Sequence, residues 1–130
     1  MVAGQVDAIF FHPPSNSYHM IDWKRCEKPL NQFENERFQR YGSYPCDHLI
    51  DNSWSHYVAQ QNIYACILAD KYDIRVASMS LLQLHESLPT YRLVPVPFFQ
   101  CMASTMLWHC APGGIKSDEP ENDVCQKVSC

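Results

Sequence analysis

The sequence predicts an α/β domain on a mixed sheet, with both antiparallel and parallel neighbours. Three observations carry that prediction. Val6, Ile9, Phe10 and Phe11, and then residues 18–23, form two short extended runs separated by Pro13-Pro14-Ser15-Asn16-Ser17, the pattern of an antiparallel hairpin. Apolar residues at Trp54, Tyr57, Val58, Tyr64, Ala65 and Leu68 recur close to helical spacing. Beyond them, Val76, Met79, Leu81, Leu82 and Leu84 give residues 74–84 the composition of a buried strand. A helix set between strands implies at least one parallel crossover.

The elements follow in order. The first strand is expected within residues 5–11 and its partner within 18–23. Residues 26–50 are mixed and polar, punctuated by Pro29, Gly42 and Pro45, with a weak helical signal over 31–40. Ser53 is placed to cap the main helix, which should end near Asp70. A last extended piece over 91–99 carries Pro95 and Pro97, whose missing N–H groups confine it to a sheet edge. The chain divides into a core over 1–100 and a Cys-containing, acidic tail over 101–130. In that tail an apolar patch at Met106, Leu107 and Trp108 gives way to Pro, Gly and acidic residues expected to order poorly. There is no internal repeat.

The 130 residues suffice for one compact domain, and 46% apolar content suffices for a core. The formal net charge of −4 argues against a protein that holds nucleic acid by charge alone. Contact with a polyanion would need a localised site or a bound cation. No run reaches the roughly 20 apolar residues that span a bilayer, and the N-terminus lacks the basic region of a signal peptide. Seven cysteines at irregular spacing, without an export signal, point to reduced thiols and an intracellular protein.

The hairpin carries the chemistry. Asp7 opens the first strand and Asp22 lies near the end of the second, so antiparallel pairing brings the two carboxylates to one end of the sheet. Lys24 follows Asp22 by two residues and so shares its face. Two carboxylates and an ammonium suit metal-assisted phosphoryl chemistry: oxygen ligands hold Mg²⁺, and the lysine orients water or offsets charge on the phosphate. On the helix, Gln60 and Tyr64 are four apart and share a face. If that helix packs beside the hairpin, Gln60 can bond to Lys24 or a phosphate oxygen, and Tyr64 can touch substrate. Arg25 and Lys28 offer further phosphate contacts, or else a solvated basic turn. Without Gln60 and Tyr64, the hairpin residues read better as a solvated surface ion pair of about 0–1 kcal/mol.

Gly4-Gln5-Val6-Asp7, Ile21-Asp22-Trp23-Lys24 and Gln60-Gln61-Asn62-Ile63-Tyr64 resemble the GxxD, (D/E)xK and QxxxY motifs of RecB-like nucleases of the PD-(D/E)xK superfamily. The lambda-type exonucleases are more distant members of that superfamily. The resemblance spans about residues 3–95 in the family's element order. It implies a restriction-endonuclease-like fold and cleavage of nucleic acid, DNA ahead of RNA, with Mg²⁺ or Mn²⁺. It further implies metal ligation by Asp7, Asp22 and the Trp23 carbonyl, catalysis by Lys24 with Gln60 in support, and substrate contact by Tyr64. Val6 stands where the motif name has proline. The family also places a helix and a strand before GxxD, the helix often carrying a glutamate or the strand region a histidine. Met1 lies three residues before Gly4, so that portion is expected to be absent and the chain a fragment or truncated product of a longer protein. Two other functions stay open: an inactive nuclease-like module binding nucleic acid or protein, and a zinc module drawing on Cys46, His48, His109, Cys110, Cys125 and Cys130. The cysteines at 101, 110, 125 and 130 do not match the spacing of the iron–sulfur cluster that some RecB-like nucleases carry.

Overall fold

The computed structural model describes residues 4–31 and 39–109. Strands β1 (Ala8–His12) and β2 (Ser17–Arg25) form the hairpin, helix α1 (Ser53–Tyr72) follows, and β3 (Val76–Leu84), β4 (Arg92–Val96) and α2 (Gln100–His109) complete the order. The sheet runs β1-β2-β3-β4, antiparallel at its two outer pairings and parallel between β2 and β3. The mixed sheet and the crossover through a helix are therefore as the sequence predicts, and β4, with Pro95, is an edge strand.

Local chemistry explains the corners. Pro13 and Pro14 enter a single 3-10 turn, and Asn16 closes it in the left-handed region at φ 48°, donating its N–H to the Pro13 carbonyl at 3.1 Å. The cap of α1 is Asn52, not the expected Ser53. Its extended backbone lets its side-chain oxygen accept the Ser55 N–H at 2.8 Å. The helix runs two residues past the expected end, closing where Asp73 turns left-handed and the Ile74 N–H reaches the Leu68 carbonyl at 3.0 Å.

Strand alternation divides the sheet into unlike faces. Met20, Asp22, Met79, Leu81 and Val96 are buried beneath α1, alongside Trp54, Val58 and Ala65 of the helix. Phe10, Trp23 and Leu93 occupy the opposite, exposed face. Residues 101–109, read from sequence as the start of a poorly ordered tail, belong instead to α2, whose Met102 and Ala103 are buried. The signal overlooked there is the run of good helix formers after Phe99. The weak helical signal over 31–40 and the tail from 110 fall mainly on residues outside the described ones. Cys26, Cys46 and Cys66 are free, whereas Cys101 is disulfide-bonded, which departs from the expectation of reduced thiols throughout. Among the described residues no helix is long and apolar enough to cross a membrane.

One buried amide ties the two helices to the sheet edge. Asn62 is fully buried; its Nδ2 donates to the carbonyls of Val58 and Pro97, both at 2.9 Å, while its Oδ1 accepts from the Phe99 N–H and from Gln100 Nε2. Replacing it strands a main-chain donor and a main-chain acceptor away from water. Asn62→Ala is expected to lower the stability of the chain by about 2–3 kcal/mol, read as an earlier urea midpoint at unchanged slope.

Candidate metal and phosphoryl-transfer site

The β1–β2 register pairs Ala8 with Ile21 and Ile9 with Met20. Its continuation by one step sets Asp7 opposite Asp22, on the face that α1 covers. Asp7 sits one residue before β1 and remains exposed, and its Oδ2 accepts the Trp23 N–H at 3.0 Å. That bond fastens the start of β1 to the far end of β2, just where the candidate chemistry lies. Asp22 is buried, and Lys24, two residues on, pairs with Asp22 Oδ2. Lys24 is thus the cationic partner of a buried carboxylate oxygen.

Burial is the largest influence on Asp22 and lifts its carboxyl above the ordinary value; Lys24 opposes this and Asp7 adds to it. With Lys24 protonated and both carboxylates ionised, the three groups sum to one negative charge. Helix α1 completes the surroundings. The Lys24 ammonium lies 4.2 Å from the centre of the Tyr57 ring. Gln60 Nε2 donates to the Tyr64 hydroxyl at 2.9 Å. Gly4 lies under that tyrosine: a Cβ on Gly4 would stand 2.4 Å from Tyr64 Cε1. All three sequence motifs are therefore engaged with one another or with their neighbours. Gly4 meets Tyr64, Asp7 meets the backbone beside Asp22, and Asp22 meets Lys24.

One of the contacts open to Gln60 is not formed. Gln60 bonds to Tyr64 rather than to Lys24. Lys28 is exposed and contributes its main chain, the carbonyl accepting Gln83 Nε2 at 2.9 Å. Arg25 is exposed beside Trp23 on the rim of a hollow at the strand ends. Sequence reasoning assigned Tyr57 only to the apolar stripe, yet residues 57, 60 and 64 share a helical face, and that spacing was available to find it. Gln61, fully buried one position from Gln60, has neither amide atom hydrogen-bonded among the described residues.

The donor set suits a hard dication. Asp7 and Asp22 bring two carboxyl groups to one strand end, one exposed and one buried. Among the described residues no three His, Cys, Asp or Glu side chains cluster. An ion held here would rely on two carboxylates, the Trp23 carbonyl and water. That sparse protein ligation is the habit of Mg²⁺, which keeps several waters. The chain matches no family model, no curated protein and no solved structure.

The raised Asp22 carboxyl has a testable sign. Folding favours its protonated form, so this contribution to stability is fully present below 3.8 and is lost as pH rises through the folded value. Asp22→Asn cannot ionise. In metal-free buffer its stability relative to the unsubstituted chain is expected to improve progressively as pH is raised from 3.8, measured by urea titrations at successive pH. A difference that does not vary with pH contradicts the burial argument.

Proposed function

We propose that the chain carries the active site of a metal-dependent nuclease that hydrolyses phosphodiester bonds, DNA ahead of RNA. The observation that carries this reading is the meeting of Asp7, Asp22 and Lys24 at one end of the sheet, with Asp22 buried. The resemblance of the three motifs to those of RecB-like PD-(D/E)xK nucleases supports the same reading.

Asp7 and Asp22, with the Trp23 carbonyl, would hold Mg²⁺ or Mn²⁺. When bound, the ion supplies Lewis acidity toward the phosphate and lowers the pKa of water. The rest is the work of the chain. Lys24, braced between Asp22 and Tyr57, presents a fixed positive charge beside the scissile phosphate and offsets the negative charge that develops on its oxygens. Tyr64, steadied by Gln60 and by close contact with Gly4, positions the substrate strand. Burial of Asp22 keeps its carboxyl group away from bulk water, which strengthens its interaction with Lys24.

A second reading is a nuclease-like module that binds nucleic acid or protein without cutting. The observation favouring it is that Asp22 already has a cationic partner in Lys24, and among the described residues only two carboxylates meet here. Cleavage assays on single- and double-stranded DNA and RNA with Mg²⁺ or Mn²⁺ separate the two. The nuclease reading expects divalent-dependent cleavage that falls about a hundredfold or more in Asp22→Ala and in Lys24→Ala. Folded protein that is inert with both ions on every substrate would favour the binding module.

A further inference from the structure

Beside the candidate site, the ends of β2 and β3 and the start of β4 enclose a hollow of about 470 Å³. Trp23, Lys24, Arg25, Leu84, Glu86 and Tyr91 contribute to its lining. Trp23 is 53% exposed and Tyr91 61% exposed, although both are large rings that water solvates poorly. Neither ring contacts another aromatic ring among the described residues. Arg25 makes no ion pair among the described residues. The hollow is not remote from the chemistry. Asp7 holds the Trp23 backbone, and Lys24 belongs to both places.

Exposed aromatic rings beside a guanidinium with no ion pair among the described residues suit one kind of occupant. A base in a duplex already has both its faces stacked; only an unpaired base can lay one on a side chain. A guanidinium then takes the flanking phosphate. We propose that this hollow receives an unpaired nucleotide of a single-stranded nucleic acid, its base stacked on Trp23 and Tyr91 and its phosphate on Arg25. The proposal deepens the nuclease reading by naming single strands as the substrate class, and it rests on that reading only for the direction in which the strand runs toward Asp22. Glu86 on the same rim opposes a phosphate, so its removal should help.

The test uses the full chain in EDTA, where no divalent-dependent cleavage intervenes, and follows the fluorescence anisotropy of a labelled oligothymidylate and of a blunt duplex of equal length. The single strand is expected to bind about tenfold more tightly than the duplex. Trp23→Ala and Tyr91→Ala, both at exposed positions, are each expected to weaken single-strand binding about tenfold at unchanged circular dichroism. Arg25→Ala should weaken binding and flatten its salt dependence, and Glu86→Gln should tighten it. Undetectable binding, or equal binding of strand and duplex that ignores both aromatic substitutions, overturns the proposal. So does a result in which Trp23→Ala dissociates a dimer in sedimentation without changing strand affinity, since the exposed sheet face would then be a protein contact. Parallel cleavage assays keep the two ideas apart. Aromatic-dependent strand binding without cleavage upholds the hollow and removes the nuclease, whereas cleavage indifferent to Trp23 and Tyr91 does the reverse.

Discussion

A carboxylate taken out of water is costly unless something compensates it, and Asp22 is buried on the covered face of the sheet. Its partner Lys24 comes from the same strand, two residues away, so the compensation requires no long-range assembly. Asp7 arrives from β1 and adds a second negative charge, which raises rather than relieves the cost. The arrangement is therefore poor as a stabilising device and well suited to binding a cation. A scaffold selected only for stability would replace Asp22 with an apolar residue matching Met20, its neighbour on the same face.

The fold supplies what such a site needs, which is rigid placement. The parallel β2–β3 pairing extends from Tyr18 with Val76 to Arg25 with Leu84, so the strand bearing Asp22 and Lys24 is central and hydrogen-bonded on both sides. Gln83, on the same covered face, donates to the carbonyls of Cys26 and Lys28 and fixes the chain as it leaves β2. Helix α1 brings Tyr57, Gln60 and Tyr64 along one face, while Trp54, Val58 and Ala65 hold it to the core. Tyr57 and Tyr64 also pack against that core, so one helix both closes the core and borders the candidate site.

Much of this was legible in the sequence, for reasons that can be named. The hairpin could be read because prolines and Asn16 interrupt two extended runs, and the helix because its apolar residues fall close to helical spacing. Sharing of a face by Asp22 and Lys24 follows from strand alternation alone. Other features depend on tertiary context. The choice of Asn52 over Ser53 as cap turns on one backbone conformation, and either residue type can serve. Helix α2 packs through Met102 and Ala103 against a surface that exists only after α1 has folded, so its helix-forming residues did not by themselves reveal where it packs. The partner of Gln60 depends on a side-chain rotamer, and spacing is silent about that.

The central claim, that paired carboxylates at this strand end form a seat for a hard dication, is tested most directly by calorimetric titration of Mn²⁺ into the metal-free protein. The account predicts saturable binding that disappears in Asp7→Asn and in Asp22→Asn, with both variants folded. Absence of binding to the unsubstituted chain, or binding that survives both substitutions, would contradict it.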